Sequence, residues 1–298
     1  MFYEIKESGD WSKILKINKG WSDDIKYYIE TENHQKLLLK IAGIDKYEEK
    51  KKEYHIICKY SKLGFEMSKP ISFGKCNKQQ NSYILLTWVE GEDLDLELPK
   101  LEKNEQYRLG IEAGEILRKI HNIKVPSDEI PKETKIPKKK LQIERYINSK
   151  VRISGDEIAL NFIKNNIDKM WYLPPVYQHG DFHPGNLILT PNKKVGVIDF
   201  SRFEIGDPYE EFYKLESFGT EVSIPFCVGQ INGYFNGKVP ELFWEVLAVY
   251  VAHASLYSIK WSERFGEKDI EHMTKICKKS FVHYDNFKRQ IPIWYSNY

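Results

Sequence analysis

The 298-residue sequence has only four cysteines, Cys58, Cys76, Cys227 and Cys277, and no two of them form a C-x-x-C pair. That spacing suits neither a zinc centre nor a disulfide scaffold, and it fits reduced thiols in a cytoplasm. Net charge is nearly absent as well. The 45 Lys and Arg against 43 Asp and Glu leave a formal +2, which offers no global field for gripping nucleic acid or an anionic membrane. The lysine triplets Lys50–Lys52 and Lys138–Lys140 have acidic neighbours and read as solvated helix faces. The opening residues Met1-Phe2-Tyr3-Glu4-Ile5-Lys6 lack the apolar run of a signal peptide. No window approaches the roughly 20 apolar residues of a membrane span. Internal repeats, low-complexity tracts and a G-x-G-x-x-G motif are missing too. These absences point to a cytoplasmic protein, monomer or weak dimer, with neither nucleic acid nor membrane as partner.

What is present is enough chain for two lobes, each with its own core. Short apolar segments at Lys13–Asn18, Ile25–Thr31 and Lys36–Ile41, separated by turn residues, read as strands. Helical composition follows from Asp45 to about Lys62, then two further strands near Lys69–Lys75 and Ser82–Trp88. After Gly91 the pattern turns helical. Glu102–Asn122 carries an apolar stripe of Leu109, Ala113, Ile116, Leu117 and Ile120. Further helices are expected near Lys138–Ser149, Asp156–Trp171, Pro240–Arg264 and Lys268–Phe287, with a β-ribbon of Asn186–Leu189 and Val195–Ile198 among them. The fold class is α+β and bilobal: a β-rich lobe over residues 1–91 and a mainly helical lobe over 92–298, dividing near Glu90–Glu92.

The chemistry is concentrated in His179-Gly180-Asp181-Phe182-His183-Pro184-Gly185-Asn186 and in Val197-Ile198-Asp199-Phe200. An Asp and an Asn with four residues between them, then a second Asp after an apolar strand, is the set that phosphoryl transfer in kinase folds requires. Asp181 would orient the attacking hydroxyl and take its proton. Asn186 and Asp199 would offer hard oxygen ligands to a Mg²⁺ that bridges nucleotide phosphates.

The segment His179–Asn186 resembles the catalytic loop of the aminoglycoside phosphotransferase family, small-molecule kinases related to choline, homoserine and methylthioribose kinases. Their loop reads H-G-D-x-x-x-x-N where protein kinases have H-R-D-x-x-x-x-N. The resemblance implies a protein-kinase-like fold, Asp181 as catalytic base, and Asn186 with Asp199 as metal ligands. Ser201 stands where a protein kinase has the Gly of D-F-G. Only seven residues separate Phe200 from Pro208, which leaves no room for an activation segment.

In the first lobe, Lys40 lies inside the apolar strand Leu37-Leu38-Leu39-Lys40-Ile41, where an ammonium is costly unless paired. A carboxylate of the next helix can pair with it, and the two can hold the α- and β-phosphates. Glu53 is the first choice and Glu49, one turn earlier, the second. Gly20 and Ser22, in Gly20-Trp21-Ser22-Asp23-Asp24, are candidates to cap the phosphates. Leu85–Gly91 resembles the lobe connection of the same family. By position, the Thr87 carbonyl and the Val89 N–H would read the adenine, with Leu86 behind it.

Asp207, Pro208 and Glu210 have the spacing of a capping box and read as structural. His121 and His183 likewise read as structural, with no carboxylate obviously placed to tune either ring. The expectation is therefore ATP- or GTP-dependent, Mg²⁺-dependent phosphorylation of a small alcohol, with an aminoglycoside-type antibiotic as leading acceptor. A choline, homoserine, sugar or macrolide acceptor is the alternative, and a non-catalytic nucleotide-binding regulator the rival from another class. Acceptor contacts could come from Glu90, Glu92, Asp93, Asp95 and Glu97, from Glu245, Glu263, Glu267 and Glu271, or by stacking on Trp244, Tyr250, Tyr257 and Trp261.

Overall fold

The computed structural model describes residues 2–18 and 23–298. The chain forms two compact units, Met1–Asp93 with Asn186–Phe203, and Leu94–Gly185 with Glu204–Tyr298. The stretch Asn186–Phe203 thus belongs to the first unit, although in sequence it lies deep within 92–298.

The first unit contains β1 (Trp11–Ile17), β2 (Ile25–Thr31), β3 (Lys36–Gly43), α1 (Tyr47–Tyr60), β4 (Glu66–Met67), β5 (Pro70–Cys76), β6 (Asn81–Thr87) and β7 (Glu92–Asp93). Five of the strands form an antiparallel sheet in the order β1-β2-β3-β6-β5. Side chains alternate across a sheet. Ile29, Leu37, Leu39, Ile41, Tyr83 and Leu85 meet on one face with Ile5 and Cys76, and this sends Lys40 to the other face. Helix α1 buries Lys50, Glu53, Ile56, Ile57 and Tyr60, a stripe at helical spacing whose first two members are charged. The ribbon Leu187–Leu189 and Val195–Val197 pairs antiparallel, with β4 parallel on one side and β7 antiparallel on the other.

The second unit contains α2 (Leu94–Glu97), α3 (Lys103–His121), α4 (Ile136–Ile147), α5 (Glu157–Asn166), α6 (Ile224–Phe235), α7 (Glu241–Ser262), α8 (Glu267–His283) and α9 (Ile293–Ser296). A two-stranded pair, Val176–Gln178 with Glu204–Gly206, joins them. Sequence reading does not anticipate it, because three residues are too few for a period-two pattern to register. Helix α7 corrects the expectation that no segment reaches membrane length. It is long and apolar enough, but 72% of its most apolar window is buried, as befits a core helix that is hydrophobic on every side.

The Asp207 turn departs from a capping box. Asp207 Oδ1 does accept the Tyr209 N–H at 2.9 Å. Its Oδ2 takes the Trp171 N–H at 2.7 Å and the Tyr250 hydroxyl at 2.9 Å. Glu210 goes to Lys139 at 2.6 Å instead of returning to the cap. The aspartate is a three-way tie between segments, and its structural role is larger than a helix start.

Helices α3 and α6 approach closely through Gly110 and Gly114 on one and Gly229 and Gly233 on the other. A Cβ at Gly114 would lie 2.1 Å from the Gln230 carbonyl oxygen, so the axes would have to part. Gly114→Ala gains up to about 1 kcal/mol in helix propensity, while overpacking a tight contact costs about 1–3 kcal/mol. Because backbone rather than a flexible side chain blocks the methyl, the loss should win. Urea unfolding should show a lower midpoint for Gly114→Ala, and an unchanged or raised midpoint would contradict the packing argument.

Candidate active site

In the first unit, Lys40 Nζ lies 2.5 Å from Glu53 Oε1, 3.5 Å from Asp199 Oδ1 and 3.9 Å from Asp24 Oδ2. Glu49 is exposed, so Glu53 is the carboxylate that meets the lysine. Lys50 joins them, 2.5 Å from Asp24 and 2.9 Å from Glu53. It is buried rather than part of a solvated face. Lys139, in the second triplet, is likewise largely buried against Glu210, over the Tyr250 ring. Burial alone would lower the Lys40 pKa, but Glu53, Asp199 and Asp24 outweigh it and hold the ammonium above its ordinary value. Burial would likewise raise Glu53, and Lys40 with Lys50 reverses this, so its carboxyl sits below the usual range.

Asp199 is presented by the ribbon. The Ile198 N–H donates to the Asn186 carbonyl at 3.1 Å, which holds the two segments side by side. Asp199 itself is left-handed, with φ 60° and ψ 73°, a conformation that costs energy for a residue with a side chain. Its Oδ2 lies 3.1 Å from Lys26, a residue that sequence reading does not single out. Its Oδ1 is buried and makes no hydrogen bond. Desolvation pushes the Asp199 pKa up, yet Lys40 and Lys26 together hold it far below the ordinary carboxylate range.

That buried oxygen, ion-paired with Lys40 but without a hydrogen bond, tests the expected metal. Mg²⁺ takes carboxylate and amide oxygens and usually keeps water and phosphate ligands besides. Asp199 Oδ1 and the Asn186 amide are donors of the right kind. Among the described residues no group of three or more His, Cys, Asp or Glu could hold a metal unaided. The residues fit a cation that shares its coordination with a nucleotide.

In the second unit, Asp181 sits on a loop that Gly180 turns at φ +83°, a region that glycine enters without steric cost. Glu211 fixes this loop. Its oxygens accept the His179 N–H at 2.9 Å and the Gly180 N–H at 2.7 Å, and His121 Nε2 lies 3.0 Å away. Burial would raise the Glu211 pKa, but His121 and the loop amides bring it below normal. His121 is completed by the Tyr234 hydroxyl, 2.8 Å from Nδ1, so a carboxylate does face this ring, contrary to expectation. Asp181 Oδ1 accepts from Lys214 Nζ at 2.7 Å, and His183 Nε2 lies 3.6 Å from the same oxygen. Lys214 and Glu211 are missed in sequence, where both look like ordinary members of an amphipathic run.

Gly20 and Ser22 lie outside the described residues. Thr87 ends β6, its N–H and hydroxyl both engaged with the Lys69 backbone at 2.9 Å. Val89 follows, packed toward Gly196, and Leu86 is buried. Several acceptor candidates are occupied: Glu90 by Lys36, Glu97 by Lys100, Glu245 by Lys169 and Glu263 by Lys260. Trp244 and Tyr250 are buried in the helical core, so they have no ring face to offer. Trp261 meets Phe265 edge to face, with Arg264 over its ring. Glu267 and Glu271 are exposed on α8.

A sequence model of the phosphotransferase enzyme family matches residues 13–244, more than half of the chain, and the chain belongs to that family. No curated protein sequence matches it. Among solved structures, the GDP complex of aminoglycoside 2'-phosphotransferase-IIIa superposes with a TM-score of 0.73 at 14% identity, covering 94% of this chain and 95% of that one. ADP-bound aminoglycoside phosphotransferase APH(2'')-Ib gives 0.65 at 19% identity, covering 94% and 96%. Spectinomycin phosphotransferase APH(9)-Ia, with ADP and spectinomycin, gives 0.66 at 15% identity, covering 92% and 93%. The fold is the kinase-like one of the aminoglycoside phosphotransferases, a β-rich unit and a helical one.

The ion network sets a stability prediction. Glu53→Gln leaves Lys40 and Lys50 short of one buried negative charge, and removing one partner of such a pair costs about 3–5 kcal/mol. Because the Glu53 pKa is held below its unfolded value, its contribution is present at neutral pH. It is lost as pH falls below about 4 and through the folded value. Denaturant unfolding should show a wide gap between wild type and Glu53→Gln at pH 7 that narrows on acidification. An equal gap at every pH would contradict the assignment.

Proposed function

We propose that the protein transfers the terminal phosphoryl group of ATP or GTP to a hydroxyl of a small molecule. The observation that carries this reading is the construction around Asp181. A buried carboxylate spends both oxygens on fixing the loop backbone, and the aspartate that the loop presents is held by Lys214. Such pre-set orientation is what a general base needs. The proton of the acceptor hydroxyl passes to Asp181 as the oxygen–phosphorus bond forms and the nucleoside diphosphate leaves, and Asp181 then releases it to solvent. Asn186 and Asp199 would hold Mg²⁺, which when bound neutralises phosphate charge. Lys40, oriented by Glu53, would contact the phosphates. Gly20 and Ser22 would cap them, and the Thr87 carbonyl and Val89 N–H would read the base. The four cysteines are unpaired thiols, which supports a cytoplasmic setting.

A cationic acceptor of the aminoglycoside type is the leading substrate. The solved neighbours include complexes with kanamycin, gentamicin and spectinomycin. Within the second unit, Asp95 Oδ1 is buried with no hydrogen-bond partner. Its Oδ2 comes within 3.7 Å of where a Cβ on Gly185 would stand. A buried carboxylate oxygen without a partner is costly, and an acceptor ammonium would satisfy it.

Asp181→Asn should lower kcat by roughly 10²–10⁴ with little change in nucleotide affinity, because the base acts on the developing transition state. A coupled assay of nucleoside diphosphate release decides it, and near wild-type turnover would sink the role. With kanamycin as acceptor, Asp95→Asn should raise KM by about tenfold, the weight of one charged hydrogen bond, while kcat holds. If only neutral alcohols are phosphorylated and Asp95→Asn changes nothing, the acceptor is a sugar or macrolide instead.

A further inference from the structure

We infer that Lys26 is a second phosphate-binding lysine of the nucleotide site, acting beside Lys40 as a two-cation clamp. The inference rests on the nucleotide-binding reading of the first unit and assigns a residue that reading leaves unused.

Register is the starting observation. Lys26 on β2 stands directly opposite Lys40 on β3 in the antiparallel pair. Directly opposite residues share a face of the sheet, with Cβ atoms about 4.5–5.5 Å apart, and like charges there repel. Both side chains are shielded from water, at 13% and 4% exposure, so solvent screens the repulsion poorly. The fold tolerates the pair because one carboxylate serves both, Asp199 Oδ2 at 3.1 Å from Lys26 and Oδ1 at 3.5 Å from Lys40.

The two lysines are not equivalent. Lys40 also has Glu53 at 2.5 Å and Asp24 at 3.9 Å. Among the described residues, Asp199 is the one ion-pair partner of Lys26. If Asp199 turns its oxygens to a divalent cation, Lys40 keeps a counter-charge and Lys26 loses its own. The ammonium then needs another anion at the same end of the sheet, next to Lys40. A nucleotide polyphosphate supplies one, since its adjacent phosphates are spaced to meet two neighbouring ammonium groups as point charges. In the unliganded protein, Lys26 holds the carboxylate. In the loaded protein, it holds phosphate.

Titration calorimetry with ATP, ADP and adenosine separates this role from a structural one. Lys26→Met should weaken ATP and ADP by about tenfold or more and leave adenosine, which has no phosphate, unchanged. Lys26→Arg should recover most of the loss because it keeps the charge. Equal weakening of all three ligands, or none, would overturn the proposal. Should Lys26→Met fail to fold, amine acylation of wild type read by mass spectrometry serves instead. ATP should protect Lys26 and adenosine should not, and equal labelling in both would overturn the role. If wild type binds neither ATP nor GTP, the nucleotide reading itself falls and this proposal falls with it. Wild-type binding with an unaltered Lys26→Met overturns the clamp alone.

Discussion

A lysine in the middle of an apolar strand has to be paired, and the first unit is built around that constraint. Lys40 cannot reach water, and Glu53, Asp24 and Asp199 are drawn from a helix, a strand entry and a ribbon to meet it. Lys26 and Lys50 enter the same cluster, so that three cations and three anions balance. A buried ionic cluster of this kind is weak evidence for stability, since a hydrophobic replacement of similar volume often does as well. Its retention is better understood as charge kept in readiness. Each lysine is compensated in the resting protein, and one carboxylate oxygen, Asp199 Oδ1, is buried with no hydrogen bond. That is the arrangement expected where a metal and a polyphosphate exchange for internal partners.

The second unit solves a different problem with the same economy of groups. A loop that presents a carboxylate must keep its own backbone satisfied. Glu211 meets that need from below, taking two loop N–H groups and facing His121. Gly180 supplies the left-handed turn, φ +83°, that carries the chain from these N–H groups on to Asp181. This accounts for glycine at the second position of the loop, where protein kinases carry arginine. Lys214 then balances the Asp181 charge from a different segment.

Local signals made part of this legible in sequence. The strands Ile25–Thr31 and Lys36–Ile41 and the long helix near Glu102–Asn122 carry strong patterning, the ribbon is marked by apolar residues around a turn, and all of them appear within a few residues of the expected bounds. Asp181, Asn186 and Asp199 stand out because their spacing is set by one loop and one ribbon. Lys40 stands out because a charge interrupts an apolar run. What stayed hidden is non-local. Lys26 matters only through a cross-strand register, and Lys50 only through its turn of α1 against the sheet. Glu211 is one of two consecutive glutamates, and nothing in the spacing says which one reaches the loop. Trp244 and Tyr250 look available as ring platforms in sequence, but they lie on α7, a helix apolar all round and largely buried.

Where the terminal phosphoryl group goes decides whether the protein is a small-molecule kinase. Phosphorus-31 NMR can follow the protein mixed with Mg²⁺, ATP or GTP, and a panel of aminoglycosides, macrolides and small metabolic alcohols. The prediction is a new phosphomonoester resonance that grows in step with nucleoside diphosphate and depends on one class of acceptor. Inorganic phosphate as the sole product, or no loss of the terminal phosphate with any acceptor, would contradict it.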